Sequence, residues 1–152
     1  MTTTDLLAVS VGCPAGIGPE VAVLAAAETR IRCVLVGDPA VIERAAVQRG
    51  VDTARLAVVP DIAAARALPP AGIAIWGPSE RIDLPTLGEP SEDAGRAQLA
   101  WIDRAADLVS AGDCVALVTG PASKAAIVSG GHTSFRGHTE YLTSIFDATE
   151  SL

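Results

Sequence analysis

Short apolar segments alternate with helix-like segments along most of this 152-residue chain. The strand-like segments cover residues 6–11, 31–36, 56–59, 73–76 and 114–118, and the helix-like ones cover 18–28, 39–49, 91–111 and 122–128. Parallel strands need long crossover connections, which helices usually provide, so this alternation is typical of a parallel sheet covered by helices. The sequence therefore predicts one α/β domain, a three-layer α/β/α unit with a mostly parallel sheet.

An irregular segment separates the fourth strand from the longest helix. Residues 77–90 contain three prolines and two glycines, which predicts an excursion across the surface. Ser91 follows as the predicted N-cap of the helix, and Gly112 as its stop signal. The predicted buried stripe of this helix consists of Leu99, Ile102, Ala106 and Val109, and the residues left to solvent are Arg96, Asp103, Arg104 and Asp107.

The segment GCPAGIGPE at residues 12–20 joins the first strand-like run to the first helix-like run. Its glycines, Gly12, Gly16 and Gly18, permit tight turns and a close approach of the backbone to a ligand. Backbone amides at a helix start bind anions, so this junction predicts one side of an anion-binding cleft. It is not the dinucleotide fingerprint G-x-G-x-x-G, because Val21 occupies the third glycine position.

Asp38 ends the second strand-like run, where a dinucleotide-binding fold would place its ribose-binding acid. Pro39 and a helix-like run follow directly. We therefore interpret Asp38 as an N-cap with proline in the first helical position.

A second junction of the same kind follows the strand-like run at residues 114–118. Thr119 and Gly120 begin its turn, and Lys124 lies in the first turn of the helix-like run behind it. A lysine there opposes the helix dipole, which indicates recruitment to an anion; the alternative is a solvated surface lysine. A Walker A loop is excluded because the Gly-Lys-Ser/Thr spacing is missing.

His138 and Thr139 follow a polar loop at residues 131–137 and begin an amphipathic segment. The dipole at a helix start favours the neutral imidazole, which can accept a hydrogen bond from a substrate hydroxyl. The alternative is a structural role for this pair, with Thr139 capping the helix.

Taken in order, the three motifs resemble the N-terminal half of the 4-hydroxythreonine-4-phosphate dehydrogenase family of vitamin B6 biosynthesis. Its members carry GDPAGIGPE near the start, then a Thr-Gly-Pro-x-x-Lys turn and a Gly-His-Thr-Glu helix start; here these are residues 12–20, 119–124 and 137–140. The resemblance implies a fold like that of isopropylmalate and isocitrate dehydrogenases. It also implies substrate binding by His138, Thr139 and Lys124, in a cleft lined by Gly12, Cys13, Gly16, Gly18, Thr119 and Gly120.

The resemblance further implies a metal-assisted oxidation, with decarboxylation, of 4-phosphooxy-L-threonine by NAD or NADP. In the family, the three histidines that bind the divalent metal (zinc, magnesium or cobalt) and most nicotinamide contacts lie beyond the Gly-His-Thr-Glu segment. We therefore expect no metal ligand, no certain catalytic residue and no dehydrogenase activity from residues 1–152 alone. A homodimer or a complementing C-terminal half would complete the functional unit.

Cys13 occupies the place of a family aspartate, whose charge-assisted hydrogen bonds a thiol reproduces poorly. It is either a reactive thiol that faces the cleft or a small residue that fills the loop. Two alternatives for the function stay open. The substrate is a related phosphorylated sugar acid or dihydrodiol carboxylate, or this truncated, split or degenerate relative is a non-catalytic module for ligand binding or assembly.

Composition limits the partners and the location. The formal net charge of −7 disfavours nucleic acid and membrane surfaces, whose phosphates would be repelled. The three cysteines, Cys13, Cys33 and Cys114, have no C-x-x-C spacing and are expected to be reduced. Neither a basic-flanked leader nor an apolar run of membrane-spanning length is found, so the cytoplasm is the expected location.

Overall fold

The computed structural model describes residues 5–29, 31–77 and 79–146. The strands are β1 (Leu7–Ser10), β2 (Cys33–Val36), β3 (Leu56–Val59), β4 (Ile73–Trp76) and β5 (Ala116–Thr119). The helices are α1 (Gly18–Glu28), α2 (Pro39–Arg49), α3 (Ile62–Ala67), α4 (Glu92–Ser110), α5 (Lys124–Ser129) and α6 (His138–Ile145), with a 3-10 turn at Thr53–Arg55. Within the described residues no helix is long and apolar enough to cross a membrane.

The strands form one parallel sheet in the order β3-β4-β2-β1-β5. Leu7 of β1 is in register with Cys33 on one side and with Ala116 on the other. Because crossovers between parallel strands are right-handed, α1 and α2 lie on one face of the sheet and α3 and α4 on the other. The predicted three-layer α/β fold with a parallel sheet is confirmed.

The face to which the strand-to-helix connections lead reverses between the neighbouring strands β1 and β5. β1 continues into α1 on one face of the sheet, whereas β5 continues into α5, which packs on α4 on the other face. In open parallel sheets, ligands bind at such a reversal, beyond the carboxyl ends of the strands. The loops after β1 and β5 both start at this point, so the fold places the two glycine-containing junctions together.

Asp38 is the N-cap of α2, as the sequence predicts. Its Oδ1 accepts a hydrogen bond from the N–H of Ala40 at 2.7 Å, and proline follows at the first helical position. Its Oδ2 accepts a second bond, which the sequence does not predict, from the N–H of Ile82 at 2.8 Å. Asp38 is only 2% exposed, so one buried carboxylate fixes the irregular segment to the start of α2.

α4 is buried along two stripes, whereas the sequence predicts one. In the predicted stripe Leu99, Ile102 and Ala106 are buried. A second stripe, which includes Trp101 and Leu108, belongs to the main core above the sheet. The reason is that α4 lies between the sheet and α5, whereas a surface helix needs only one apolar stripe.

Two shorter helices also differ from the predictions. α3 lies in an alanine-rich segment with no clear amphipathic pattern, and it begins where the Asp61 carboxylate accepts a hydrogen bond from the N–H of Ala64 at 2.8 Å. α5 begins at Lys124, two residues later than predicted, because Ser123 is its N-cap. Lys124 is therefore the first residue of the helix.

Candidate functional site

The two glycine-containing junctions are hydrogen-bonded to each other. The N–H of Cys13 donates to the carbonyl oxygen of Pro121 at 2.8 Å, and the N–H of Gly120 donates to the carbonyl oxygen of Ser10 at 2.7 Å. Both bonds lie at the carboxyl ends of β1 and β5. The structure thus joins the two loops into one polar surface at the reversal point of the sheet.

Three glycines make this contact between the loops possible. Gly12 has a φ of +79°, and a Cβ at this residue would overlap the carbonyl oxygen of Pro121. A Cβ at Gly18 would overlap the carbonyl oxygen of Val11. A Cβ at Gly120 would lie 2.8 Å from the carbonyl oxygen of Ser10. These glycines serve the packing of one loop on the other, a role that the sequence pattern does not distinguish from close approach to a ligand.

Cys13 and Gly16 form the tip of the first loop. Cys13 is 6% exposed, and the N–H of Gly16 donates to its carbonyl oxygen at 3.0 Å. A Cβ at Gly16 would lie 3.5 Å from the Cβ of Cys13, so this position has ordinary space. The buried thiol agrees with the alternative in which Cys13 fills the loop.

Arg44 fixes the first loop from the side of α2, a role that the sequence does not predict. Its guanidinium donates to the carbonyl oxygen of Pro14 at 2.7 Å and to that of Pro85 at 2.6 Å. The N–H of Gly88 donates to the carbonyl oxygen of Ala15 at 2.7 Å. The part of the irregular segment at residues 85–88 therefore lies against the first loop and holds it in place.

Gln98 of α4 fixes the second loop. Its side chain is fully buried; Oε1 accepts a hydrogen bond from the N–H of Ser123 at 2.8 Å, and Nε2 donates to the carbonyl oxygen of Ala94 at 3.1 Å. The signal that could have revealed it is a polar residue inside the second apolar stripe of α4. Gln98 thus holds Ser123, the N-cap of α5, directly before Lys124.

Lys124 is the only lysine of the chain. Its side chain is exposed and forms no ion pair with any carboxylate in the described part of the chain. It follows the turn at Thr119 and Gly120, both half-buried, after four residues. A positive charge without a protein partner is thus available beside the joined loops.

His138 is the first residue of α6, and its Nε2 is buried without a hydrogen-bond partner among the described residues. Burial lowers the pKa of this imidazole, which favours the neutral form. The sequence attributes neutrality to the helix dipole, whereas the cause in the structure is desolvation. The ring meets Phe135 edge-on, with 6.3 Å between the ring centroids.

Thr139 is exposed and does not cap α6. The N-cap is Gly137, and no side chain accepts a capping hydrogen bond there. The capping alternative for Thr139 is therefore wrong. Thr139 follows His138 directly in the sequence, so both residues belong to the first turn of the helix.

The described residues do not fit a metal centre. Across residues 5–29, 31–77 and 79–146, no group of three or more histidine, cysteine, aspartate or glutamate side chains is placed to hold a metal ion. The first loop also departs from the dinucleotide fingerprint at Val21. What this part of the chain offers is a set of amides, the unpaired cation of Lys124 and the half-buried imidazole of His138.

Comparison with known proteins identifies the family. The model of the family described as pyridoxal phosphate biosynthetic protein PdxA matches residues 29–152. The chain belongs to this family. The 4-hydroxythreonine-4-phosphate dehydrogenase of Desulfosudis oleivorans is 34% identical to it over 147 residues, which cover 93% of this chain and 42% of that protein.

Two further relatives agree in sequence and in structure. The D-threonate 4-phosphate dehydrogenase of Salmonella typhimurium is 30% identical over 145 residues, covering 93% of this chain and 44% of that protein. The crystal structure of a 4-hydroxythreonine-4-phosphate dehydrogenase from Burkholderia phymatum superposes with a TM-score of 0.86 at 29% identity, covering 96% of this chain and 44% of that one. The chain thus spans less than half the length of these relatives.

Proposed function

We propose that this chain supplies the substrate-binding groups for the oxidation of 4-phosphooxy-L-threonine. The observation that carries the proposal is the unpaired Lys124 beside two joined, amide-rich loops at the reversal point of the sheet, in a PdxA family member. Amides at loop and helix starts together with a cation are the groups that bind a phosphate. The dehydrogenase names of the relatives support an oxidoreductase function.

Each substrate-binding group has a distinct task in this proposal. Lys124 binds the phosphate together with loop amides other than those of Cys13, Gly16, Gly120 and Ser123, which donate to protein acceptors. The neutral imidazole of His138 accepts a hydrogen bond from a substrate hydroxyl at Nε2, which has no partner among the described residues. Thr139, beside it, binds a second polar group of the substrate.

The oxidation itself needs groups that the described residues do not provide. The family resemblance implies NAD or NADP and a divalent metal, zinc, magnesium or cobalt, for hydride removal and decarboxylation. No metal-ligand set occurs in the described part of the chain. We assign these tasks to the C-terminal portion of family members and expect the 152-residue chain alone to bind substrate without oxidising it.

The relative from Salmonella typhimurium favours a second candidate substrate. It is named for D-threonate 4-phosphate, a phosphorylated sugar acid with the same terminal phosphate. The proposed phosphate-binding groups serve either substrate, so discrimination falls to the groups that contact the other end of the molecule. The substitution of the family aspartate by Cys13 is a change in the loop on which that discrimination could depend.

Calorimetric titration of the chain with 4-phosphooxy-L-threonine and with D-threonate 4-phosphate tests this proposal. Lys124→Met and His138→Asn should each weaken binding about tenfold or more, because each removes a contact to a buried polar or charged group. Arg66→Met is the matched control, because it also removes one positive charge. Arg66 donates to the carbonyl oxygen of Asp113 at the amino end of β5, which is the opposite end of that strand from the two loops. Equal affinities for all four proteins would refute the assignment.

We further propose that the C-terminal portion of family members covers an apolar groove on this chain. The groove, of about 260 Å³, lies between α1 and the β1–β5 side of the sheet and is lined by Leu7, Val9, Val21 and Val118, among others. Val118 is 44% exposed, and β5 is an edge strand whose outer backbone groups lack a strand partner in the described sheet. Exposed apolar edges of this kind are normally covered, and the relatives carry more than as much chain again.

A further inference from the structure

The helix α6, which carries His138, has few attachments to the rest of the molecule. None of its residues is fully buried, and no side chain caps its N-terminus. Tyr141 and Leu142 pack against a small apolar cluster that includes Phe135 and Ile127. A helix of eight residues is not stable by itself, so the position of α6 depends on these few contacts.

One polar contact fixes α6 to α4. The hydroxyl of Tyr141 donates a hydrogen bond to Oδ1 of Asp103 at 2.6 Å. The sequence predicts that Asp103 faces solvent, but it is half-buried in the structure. Burial raises the pKa of Asp103, and the bond from Tyr141 opposes that rise; Asp107 also raises it, whereas His132 and Arg104 lower it.

The Tyr141 hydroxyl remains protonated and therefore remains a hydrogen-bond donor. Burial, together with the neighbouring Asp103, raises the pKa of the Tyr141 hydroxyl above its usual range, so it keeps its proton. A hydrogen bond from a neutral hydroxyl to a partly buried carboxylate is among the stronger kinds in proteins. It therefore ties α6 to the long helix that also holds the second loop through Gln98.

His138 lies on the same face of α6 as Tyr141. Residues three positions apart lie on one side of a helix, so His138 and Tyr141 are neighbours. The buried ring of Phe135 contacts both, with centroid distances of 6.3 Å to His138 and 5.6 Å to Tyr141. Any rotation of α6 that breaks the bond to Asp103 also moves the imidazole relative to Phe135.

We propose that Asp103 and Tyr141 are positioning residues for His138. Their hydrogen bond holds α6 in the orientation that encloses Nε2 of His138 without a hydrogen-bond partner, so that this nitrogen keeps its capacity to accept a hydrogen bond. This role rests on the proposed substrate-binding function of His138. Asp103 and Tyr141 act through the helix and do not touch the substrate.

The chain contains only two histidines, so NMR titration of the imidazole rings tests this proposal directly. Tyr141→Phe keeps the aromatic ring and removes only the hydroxyl, and Asp103→Leu removes the acceptor. In both variants we expect the His138 resonances to shift and its pKa to rise toward the ordinary value for histidine, because the ring loses part of its burial. A His132→Gln background assigns the two rings.

Two further variants separate positioning from a general loss of structure. Asp103→Asn keeps an oxygen acceptor for Tyr141 and should preserve the His138 titration. Asp93→Asn, in the exposed first turn of α4, is the matched control and should leave it unchanged as well, since that side chain pairs with Arg96 and not with Asp103. Far-UV circular dichroism identifies any variant that fails to fold. If Asp103→Leu fails, the His138 titration in Tyr141→Phe, which keeps the packed ring, is the test of the positioning role.

The outcome that overturns the proposal is a His138 titration in Tyr141→Phe identical to that of the wild type. The proposed function is measured separately, as binding of 4-phosphooxy-L-threonine to the wild-type chain. Binding that persists while the His138 titration is insensitive to both residues refutes the positioning role and leaves the function standing. A shifted titration without any substrate binding refutes the function and shows that the bond sets only the environment of the ring.

Discussion

Asp38 connects two distant parts of the chain through a single buried carboxylate. One oxygen caps α2 and the other accepts the N–H of Ile82. Asp38→Ala should lower the free energy of unfolding by about 2–4 kcal/mol, because it removes a cap and leaves a partly buried amide without a partner. Asp61→Ala removes only the exposed cap of α3 and should cost about 1 kcal/mol.

Urea denaturation of the two variants measures this difference. The expectation for Asp38 is wrong if both substitutions lower stability equally. Such a result would mean that the bond to Ile82 contributes nothing beyond the cap.

The two strand-associated thiols give a pH-dependent prediction at the same scale. Burial raises the pKa of Cys33 and of Cys114 to about 11 each. A raised thiol pKa favours the protonated form, so at pH 8 the thiolate fraction is about two orders of magnitude below that of an ordinary cysteine. Alkylation by iodoacetamide at pH 8 should therefore be slow in the native chain and fast in urea.

Peptide mapping by mass spectrometry after timed alkylation distinguishes these two cysteines from Cys13. The native rates at Cys33 and Cys114 should rise with pH toward 11. If Cys33 and Cys114 were alkylated at pH 8 as fast in the native chain as in urea, burial would not have the stated effect on their thiols.

A side chain is predictable from the sequence where its partner lies close by and a local signal accompanies it. Asp38 and Ala40 are two residues apart, and the Asp-Pro pair predicts the N-cap of α2. Gln98 and Ser123 are 25 residues apart, and Asp103 and Tyr141 are 38 residues apart. Nothing local distinguishes a solvated aspartate on a helix from one that a distant tyrosine covers, so this part of the site could not be predicted.

At the scale of elements, α4 and α5 approach each other at backbone distance. A Cβ added at Gly95 would overlap the carbonyl oxygen of Ala126. Helix propensity alone makes Gly95→Ala favourable by about 1 kcal/mol, whereas a clash with backbone in a packed interface costs more than that. Gly95→Ala should therefore destabilise the chain by about 2 kcal/mol, and it should disturb the turn that Gln98 holds.

Thermal unfolding and the amide spectrum of residues 119–124 report these two effects. Gly112→Ala is the comparison, because Gly112 has a φ of +77° and open space around it, so only backbone strain of about 1–2 kcal/mol applies. A stabilised Gly95→Ala variant would show that the helices can separate without cost.

The periodicity of α4 shows how far a pattern can locate an element. Leu99 and Ile102 were sufficient to predict a helix and one of its buried faces. The second face, with Trp101, exists because the same helix also covers the sheet, which is a property of the assembled layers. The short α3 lacks such a pattern, since its alanines are equally compatible with several structures.

For the whole molecule, alternation along the chain was enough to predict a parallel three-layer fold, because few other arrangements connect parallel strands. The order of the strands could not be predicted, since it depends on pairings between distant segments. That order matters for the site, because it places β5 beside β1 and joins the two loops. It also leaves β5 at an edge with Val118 exposed.

The exposed β5 side of the sheet gives the prediction for the assembled unit. Co-expression of the chain with the C-terminal portion of the Desulfosudis oleivorans relative, beyond the matched residues, should yield a one-to-one complex detectable by native mass spectrometry. Val118→Lys should reduce complex formation about tenfold or more, because it places a charge in the apolar groove. Val58→Lys is the matched control, since Val58 is 53% exposed on β3, the opposite edge of the sheet.

The mass of the purified species decides between the two ways of completing the unit. A one-to-one complex that survives Val58→Lys and is lost with Val118→Lys supports coverage of the groove by the C-terminal portion. A homodimer of the 152-residue chain that excludes this portion, and that Val118→Lys dissociates, would show instead that a second copy covers the β5 edge. Complex formation indifferent to Val118→Lys would place the contact elsewhere and refute the role of this groove, because a buried unpaired ammonium group is too costly to pass unnoticed.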